Sequence, residues 1–535
     1  MALDLSPTVT QLLQLAANAH PEARLIWAGA GTRSYKQLLD ASQRCAGAMA
    51  QLGIQKGDRV AFWMPNGWAY LDFLFGALQL GAIAVAVNTR FRAAEVGAIL
   101  NHTRPKALVM EPGFHDIPFG NILASIEPHC VASITTLFSC GAGGLASNVL
   151  PDVQVVPYEQ ALSGPVALTQ PSPQDSCVIF TTSGTTSGPK FVVHNHRSVA
   201  GHAIEAASAF GYDDSDAQLL HALPFCGIFG FSQLTATIAA GASSIFMTMF
   251  EAVECARLMQ ESTVTHISGT DDLLKRVLDV TTQDRPFPRL RECVYAGFNP
   301  ALATFPEVAD VRGMRLIGCF GMSEIHSFFS RQPADAPVQE RKRPGGLPVG
   351  ATTKVRVRDT DTGHLLTYGE IGELEIFSRH MFSEYFDQPE ATRLAFTEDG
   401  YFKTGDLGCV YNDGRYEFRG RRGDYMRLSG FQVNPLDIEL VIQEIAAVNT
   451  AIVVEAPAAT GTRAVAFVRL NVGQLWDEDA IRQHCIDRLA NFKVPARFIQ
   501  VETFPSVMGP NGEKIQRGNL KTEAAMALAC TRHPQ

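Results

Sequence analysis

The spacing of apolar and polar positions changes twice along the chain, and its first 330 residues alternate between strand-like and helical patterns. Short, continuous apolar runs such as 177–180 are typical of buried strands. The stretch that comes closest to a membrane span is 69–87, but two polar residues and two glycines interrupt it, so we expect a buried helix followed by a strand at 83–87. This alternation predicts a layered α/β architecture.

The pattern then becomes β-rich and afterwards α+β. Following an irregular connection at 331–350, short strands separated by turns, such as Lys354–Arg358 and Gly372–Phe377, predict a barrel-like subdomain at about 345–422. Beyond it, Asn434 is placed to cap an amphipathic helix, and strand and helix patterns follow to about residue 489. We therefore expect a large N-terminal region (1–422) and a small, mobile α+β C-terminal domain (423–535).

Composition excludes some functions and compartments. The 535 residues are 46% hydrophobic and 19% charged, as in an ordinary globular protein of more than one domain. A net charge of −9 gives no reason to expect a nucleic-acid partner. Eleven cysteines without CxxC spacing indicate reduced thiols in a cytoplasmic protein, and the N-terminus lacks the pattern of a secretory signal.

The most informative segment is 181–190, Thr-Thr-Ser-Gly-Thr-Thr-Ser-Gly-Pro-Lys, which lies between two apolar strand-like runs. Its hydroxyl and backbone N–H groups are the donors that a polyphosphate requires, and Lys190 adds a positive charge. A Walker loop is disfavoured, because only three residues separate Gly184 from Gly188 and Phe191 stands where that loop needs a magnesium-binding Ser or Thr. We predict a different kind of phosphate-binding loop.

Three further segments carry weaker signals. Residues 319–324 place an aromatic ring, a hydroxyl and the carboxylate of Glu324 at a strand end, where the carboxylate can hold Mg²⁺. Asp406 follows a strand and can accept hydrogen bonds from ribose hydroxyls, or simply occupy a turn. Lys514 lies on a turn near the C-terminus, where a lysine is usually only solvated.

Taken together and in this order, the segments resemble the adenylate-forming superfamily of acyl- and aryl-CoA synthetases, peptide-synthetase adenylation domains and luciferases, from about Gly31 to Lys521. The resemblance implies ATP, Mg²⁺ and coenzyme A as the small molecules handled, and a C-terminal domain that rotates between two half-reactions. It implies catalytic roles for Lys514, Glu324 and Thr185, with Glu324 as the metal ligand. The remaining roles that it implies are nucleotide binding by Thr182, Ser183, Gly184, Thr185, Thr186, Lys190, Ala296, Gly297, Phe298, Phe320, Gly321, Met322, Ser323, Asp406, Arg421 and Lys514, a hinge at Gly423, and a CoA tunnel at Gly430.

The chain departs from the superfamily pattern at several positions. Ser187 and Phe191 replace glycines of the phosphate loop, and Phe320 replaces a tyrosine. At the hinge, Gly423 stands in place of an Asp or Lys, and Glu513 replaces the glycine before the catalytic lysine. None of these changes removes a charge that the chemistry requires, so we expect activity at an unspecified rate.

The segment Phe225, Cys226, Gly227 and Phe229 resembles the superfamily's acyl pocket, with Gly227 in place of a histidine. The missing imidazole favours a bulky or long apolar acid, unless Phe225 or Phe229 fills the gap. The leading hypothesis is an ATP-dependent acid:CoA ligase that releases AMP and pyrophosphate. Loading of an acyl carrier protein and a nucleotide-binding regulator without catalysis are the alternatives, and a homodimer is left open.

Overall fold

The computed structural model describes residues 6–115, 117–141, 150, 152–166, 169–182, 189–299, 302–423, 425–428, 431–458, 461–509 and 512–529. The α-helices are α1 (Val9–Ala19), α2 (Tyr35–Gln51), α3 (Trp68–Gln79), α4 (Ala93–Thr103), α5 (Phe119–Ala124), α6 (Pro128–Val131), α7 (Tyr158–Leu162), α8 (His196–Ala209), α9 (Ile228–Ala240), α10 (Ala252–Glu261), α11 (Asp271–Asp279), α12 (Phe305–Val311), α13 (Val338–Arg341), α14 (Pro389–Ala395), α15 (Pro435–Gln443), α16 (Glu478–Arg488) and α17 (Arg517–Ala529).

The strands are β1 (Leu25–Trp27), β2 (Gly31–Arg33), β3 (Arg59–Trp63), β4 (Ile83–Ala86), β5 (Ala107–Met110), β6 (Thr136–Ser139), β7 (Gln154–Pro157), β8 (Ser176–Thr182), β9 (Lys190–Asn195), β10 (Gln218–His221), β11 (Ser243–Phe246), β12 (His266–Thr270), β13 (Glu292–Ala296), β14 (Leu316–Met322), β15 (His326–Arg331), β16 (Gly345–Pro348), β17 (Lys354–Arg358), β18 (Gly372–Phe377), β19 (Glu384–Tyr385), β20 (Phe402–Val410), β21 (Tyr416–Arg421), β22 (Met426–Leu428), β23 (Phe431–Val433), β24 (Val448–Ala458), β25 (Gly461–Leu470), β26 (Arg497–Gln500), β27 (Ser506–Gly509) and β28 (Gly512–Ile515).

An eight-stranded sheet, in the order β19-β9-β8-β4-β3-β5-β6-β7, contains the strands on both sides of the predicted phosphate loop. Strands β8, β4, β3, β5, β6 and β7 run parallel, and β9 turns back antiparallel to β8. The central strands are buried along their length, as expected for a parallel sheet covered on both faces by helices. The helix and strand predicted within 69–87 are confirmed as α3 and β4, and no described helix is long and apolar enough to cross a membrane.

A second sheet of thirteen strands has the order β17-β18-β20-β21-β16-β15-β14-β13-β12-β10-β11-β1-β2. Its parallel centre supports the layered α/β prediction, and the predicted strands Lys354–Arg358 and Gly372–Phe377 are confirmed as β17 and β18. The β-rich subdomain predicted for 345–422 is present as strands β16, β17, β18, β20 and β21, but these strands extend the sheet with β17 at its edge, so the described residues form no closed barrel.

The strand that joins the two halves of this sheet is β16, within the stretch that looked irregular. Gly345 pairs with Glu417 on one side, and Ser330 pairs with Pro348 on the other. A Cβ atom on Gly345 would lie 2.3 Å from the carbonyl oxygen of Tyr416, and the φ of Gly345 is +122°, so only glycine fits here. The close approach of neighbouring backbones therefore explains a glycine-rich strand.

The C-terminal residues form cores of their own. Two apolar clusters draw their buried members from 426–524, whereas the buried members of the other four come from residues before 417. The predicted cap is present, since the Asn434 side chain accepts a hydrogen bond from the N–H of Leu436 at the start of α15. The exact boundary at 422/423 stays a prediction, although the separate cores are compatible with it.

Candidate active site

The serine- and threonine-rich segment leaves and re-enters the eight-stranded sheet at one point. Strand β8 ends at Thr182 and β9 begins at Lys190, and these two residues face each other in the antiparallel register. Ser183, Gly184, Thr185, Thr186 and Ser187 lie outside the described residues. Their predicted contacts with phosphate therefore stay predictions, but both ends of the loop are fixed beside Lys190.

One tyrosine joins Lys190 to Glu324. The Tyr385 hydroxyl lies 2.9 Å from Glu324 Oε1, and Lys190 Nζ lies 3.4 Å from the same hydroxyl. Tyr385 reaches this place because β19 pairs with β9, which sets Tyr385 opposite Val192. The structure thus brings the edge of the phosphate loop and the Met-Ser-Glu segment into one cluster, as the predicted nucleotide site requires.

Glu324 is a carboxylate almost removed from solvent, with 6% of its surface exposed. Burial raises the pKa of Glu324, while the hydrogen bond from Tyr385 and the charges of Lys190 and Arg421 oppose that rise. A further cation would favour the ionised form in the same way. Among the described residues, no three His, Cys, Asp or Glu side chains converge on a metal position. A buried carboxylate is a ligand type that Mg²⁺ accepts together with water and phosphate oxygens.

The backbone of the neighbouring Ser323 is held by a buried histidine. His194 Nε2 lies 2.7 Å from the Ser323 carbonyl oxygen, and because a carbonyl only accepts, this nitrogen carries the proton. His194 Nδ1 then accepts from the Ser198 hydroxyl, and His326 lies beyond it at 3.2 Å from Ser198 Oγ. Burial lowers the pKa of His194 to about 4, so the ring is neutral at pH 7 and keeps this tautomer.

The segments predicted to surround adenine lie at the ends of β13 and β14. Phe320 packs against Tyr416 and Phe418, with ring centroids 5.7 and 5.4 Å away. A Cβ on Gly321 would lie 2.3 Å from the His326 carbonyl oxygen, so the strand passes too close for any side chain, and Met322 pairs with His326. Ala296 ends β13, and Phe298 is 57% exposed, which is unusual for an aromatic ring and compatible with a ligand face.

The loop that contains Gly297 and Phe298 is anchored by Asp271, at the start of α11. Asp271 Oδ2 accepts hydrogen bonds from the N–H groups of Phe298 at 3.0 Å and Asn299 at 2.8 Å. Its other oxygen accepts from the N–H of Asp272 at 2.9 Å. Burial raises the pKa of Asp271, and these three backbone donors oppose that rise.

The two residues predicted to bind ribose are direct neighbours. Asp406 and Arg421 face each other in the β20–β21 pair, and Arg421 Nε lies 3.6 Å from Asp406 Oδ1. Asp406 is buried and Arg421 is about half exposed. The Arg421 charge also favours the ionised form of Glu324.

The predicted acyl-pocket segment connects β10 to α9. The Phe225 ring is fully buried beside Tyr70, 5.8 Å between centroids, and the Phe229 ring packs against Phe328 at 5.4 Å. Cys226 is half-buried, and Gly227 is the N-cap of α9 without a side-chain cap. Both phenylalanines are thus part of the hydrophobic core.

The predicted hinge has contacts to both sides. The Arg422 guanidinium lies 3.1 Å from Glu373 in the large region, while the Gly423 carbonyl accepts from Lys521 of α17 at 3.2 Å. Among the described residues other than its chain neighbours, none has an atom within 4 Å of the position that a Cβ of residue 423 would take. Gly430 and the side chain of Lys514 lie outside the described residues, although the Lys514 backbone is placed in β28 opposite Val507.

With this geometry in place, comparison with known proteins identifies the family. The profile of the AMP-binding enzymes matches residues 13–386, and the profile of the AMP-binding enzyme C-terminal domain matches 437–507. The chain belongs to the AMP-binding enzyme family. The resemblance to adenylate-forming enzymes is therefore confirmed.

Relatives of this AMP-binding enzyme cover nearly its whole length. The long-chain-fatty-acid–CoA ligase FadD13 of Mycobacterium tuberculosis is 29% identical over 90% of this chain and 92% of its own. The fatty acid–[acyl-carrier-protein] ligase ScoC of Streptomyces coeruleorubidus is 28% identical over 95% of each. The structure of ATP-bound MatB from Rhodopseudomonas palustris superimposes with a TM-score of 0.83 at 24% identity, covering 98% of this chain and all of MatB, which confirms the fold with a large N-terminal and a small C-terminal part.

Three residues that contact the predicted site segments were missed from the sequence: Tyr385, Asp271 and His194. Each of them forms hydrogen bonds with a segment that is far away in the chain, and none of them stands in a run of unusual composition. A buried tyrosine near a Pro-Glu helix start, or an aspartate at a helix N-terminus, is common in structural roles. Only the strand pairing and the loop geometry make them neighbours of the site.

Proposed function

We propose that this AMP-binding enzyme is an ATP-dependent carboxylic acid:CoA ligase that forms an acyl-adenylate and releases AMP and pyrophosphate. The observation that supports it most directly is that Tyr385 joins the phosphate-loop cation Lys190 to the buried carboxylate of Glu324. The pair proposed for ribose, Asp406 and Arg421, adds a positive charge that also acts on Glu324. The length over which the chain matches acyl-CoA ligases also supports it.

The chemistry explains why such a cluster is needed. A free carboxylate is a poor electrophile, because its negative charge repels a thiolate and oxide is a very poor leaving group. Attack by the carboxylate oxygen on the α-phosphorus of ATP breaks the bond to pyrophosphate and forms a mixed anhydride with AMP. The thiol then attacks the carbonyl carbon and AMP leaves. Two anions must meet in the first step, so fixed positive charges lower its barrier.

The residues of the chain divide these tasks. We assign polyphosphate binding to Lys190 and to Thr182, Ser183, Gly184, Thr185 and Thr186 of the loop, and the ribose to Asp406 and Arg421. Adenine lies between Phe320 and the segment Ala296, Gly297 and Phe298, with Gly321, Met322 and Ser323 beside the α-phosphate. Glu324 would hold Mg²⁺, which supplies charge neutralisation at the phosphate oxygens when bound.

The C-terminal part completes the first step and permits the second. We assign Lys514 to the charge developing between the acid and the α-phosphate, and Gly423 to the pivot of the domain of residues 423–535. Rotation would withdraw Lys514 and bring Gly430 to the thiol entrance, where a missing side chain admits the pantetheine arm of CoA.

For the acid, we infer a bulky or long apolar substrate. Phe225 and Phe229 are held in the core against Tyr70 and Phe328, which supports the interpretation that neither ring replaces the imidazole missing at Gly227. Gly227→His should restore the imidazole and lower activity on long acids more than on acetate or propionate. Exclusive use of those two short acids by the unaltered protein would refute the inference.

The overall reaction is tested by incubating the purified protein with ATP, MgCl₂, CoA and a panel of carboxylic acids. Mass spectrometry should detect AMP, pyrophosphate and a CoA thioester. Lys514→Ala should abolish adenylate formation, while Lys493→Ala, a lysine of the same region that pairs with Asp437, serves as the matched control. Full acid-dependent pyrophosphate exchange by Lys514→Ala would contradict the role given to Lys514.

The similarity to ScoC favours a second candidate, transfer of the acyl group to the thiol of a carrier protein. Both reactions share acid-dependent pyrophosphate exchange, so the acceptor distinguishes them. Thioester formation with free CoA supports the ligase, and product only with a phosphopantetheinylated carrier protein supports the alternative. A nucleotide-binding regulator would show neither.

We place the reaction in a reducing compartment, the cytoplasm, because the ten described cysteines are all free thiols and most are buried. For assembly we keep the homodimer as a proposal. Sedimentation of the purified protein tests it directly, because a dimer has twice the 58.1 kDa mass of the chain.

A further inference from the structure

Tyr385 lies between two opposite charges that the proposed function uses separately. Its hydroxyl has one proton, and an ammonium only donates, so the hydrogen bonds run from Lys190 to the tyrosine oxygen and from the tyrosine O–H to Glu324. The Lys190 ammonium also lies 4.6 Å from the centroid of the Tyr385 ring, a cation–π distance. One side chain therefore holds both charged groups, each by its own contact.

A lysine and a buried carboxylate that contact the same hydroxyl attract each other and, without that hydroxyl between them, would pair. Their attraction grows as solvent is excluded, and Glu324 is nearly without solvent. A direct Lys190–Glu324 ion pair would neutralise both groups. Neither would then attract its partner in the proposed reaction, which is polyphosphate for the lysine and a divalent cation for the glutamate.

We propose that Tyr385 is a positioning residue that keeps Lys190 and Glu324 apart and so leaves each available for ATP and its cation. The proposal rests on the proposed function, because it gives these two groups different ligands. It predicts that removing the Tyr385 hydroxyl lets the Lys190 ammonium pair with the Glu324 carboxylate, without changing the fold.

The tyrosine is well fixed for this role. The residue is 1% exposed, and its ring packs on Phe382 with centroids 4.9 Å apart. Its backbone N–H donates to the Thr392 hydroxyl, and its strand is paired with β9. Tyr385→Phe preserves this packing and the ring face under Lys190, and removes only the hydroxyl. The variant therefore separates positioning from packing.

The first measurement needs no nucleotide. The unliganded protein is treated with acetic anhydride, and acetylation of Lys190 is followed by peptide mass spectrometry. In Tyr385→Phe the lysine should pair with Glu324, and its acetylation should slow about tenfold. Adding Glu324→Gln removes the new partner and should restore the original rate. Lys493 in the same digest is the internal control, and Tyr35→Phe is the matched variant, because Tyr35 is another buried tyrosine that donates to a backbone carbonyl, that of Ala242.

The second measurement is ATP affinity by calorimetry at fixed MgCl₂. Tyr385→Phe should bind ATP about tenfold more weakly or worse, with a melting temperature close to that of the unaltered protein, and Tyr35→Phe should bind normally. Unchanged acetylation of Lys190 in Tyr385→Phe would overturn the proposal, as would unchanged ATP affinity. The labelling result does not depend on catalysis, so absence of pyrophosphate exchange by the unaltered protein would refute the proposed function and leave the role of Tyr385 to be decided by labelling.

Discussion

Replacing Asp271 with asparagine would test how the loop after β13 is held in place. The aspartate uses both oxygens: Oδ2 accepts from the N–H groups of Phe298 and Asn299, and the other accepts from Asp272. An asparagine has only one acceptor oxygen. If the asparagine oxygen faces the loop, the NH₂ group of the same side chain faces the N–H of Asp272, and two donors then oppose each other. In the opposite orientation, the N–H groups of Phe298 and Asn299 lose their acceptor.

The magnitude follows from these contacts. Leaving one buried donor without a partner costs about 1–3 kcal/mol, and hydrogen bonds to a neutral amide are weaker than those to a carboxylate. Asp271→Asn recovers part of this free energy, because Asp271 is buried and a neutral amide costs less to bury than a carboxylate. We expect a loss of about 2 kcal/mol. If the loosened loop becomes ordered only when ATP binds, the binding of ATP must supply this free energy. Since each 1.4 kcal/mol is a factor of ten in affinity, Asp271→Asn should weaken ATP binding ten- to thirtyfold.

The assay pairs urea denaturation with calorimetric titration of ATP. Asp272→Asn is the matched control, because it removes a charge from the same helix start but from an exposed side chain. Asp271→Asn should lose both stability and ATP affinity, and Asp272→Asn should lose little of either. Equal effects of the two variants would show that the helix terminus matters and the loop contacts do not, and the reasoning would be refuted.

Three further variants test other parts of the structure. Burial lowers the pKa of His221 to about 3, against about 6.5 in the unfolded chain, so between these pH values only the unfolded chain binds the proton and the protein loses stability as the pH falls. His221 should therefore lower the free energy of unfolding by about 2 kcal/mol at pH 5 relative to pH 7, and His221→Gln should reduce the difference between urea denaturations at the two pH values by that amount. An unchanged difference would contradict the assignment. Gly321→Ala places a methyl group 2.3 Å from the His326 carbonyl oxygen and should destabilise the fold by about 1–3 kcal/mol in thermal denaturation, with weaker ATP binding; wild-type values for both would rule out the steric argument. Lys521→Ala removes the contact with the Gly423 carbonyl and should alter the rate of thioester formation while leaving pyrophosphate exchange unchanged, and equal effects on both rates would argue against a hinge role.

Much of the fold was predictable because local periodicity and caps agree with tertiary structure. The helix after Asn434 and the strands Lys354–Arg358 and Gly372–Phe377 follow from patterns within a few residues. Strand β16 was not predictable in the same way. Glycine and proline have low strand propensity, and the two glycines are needed in this strand because the neighbouring backbones leave no room for a Cβ atom at Gly345 and Gly346.

The residues of the candidate site also fall into two groups, those that local sequence predicts and those that depend on tertiary contacts. Motifs with unusual local composition, such as the loop ending at Lys190 or the segment containing Glu324, were found from the sequence. Tyr385 and Asp271 were not, because their roles depend on contacts made across the fold. The hydroxyl of Tyr385 meets a carboxylate 61 positions away, and Asp271 holds backbone 27 positions away.

The thirteen-stranded ladder determines where this protein can be cut. Gly345 and Pro348 pair with strands on opposite sides of β16. A fragment that begins or ends near residue 345 would therefore have an unpaired strand edge on each piece, and such edges promote aggregation. Excised pieces, fusions and chimeras built from this enzyme should therefore keep residues from Leu25 to Arg421 as one unit, and exchange only the residues on the C-terminal side of Arg421.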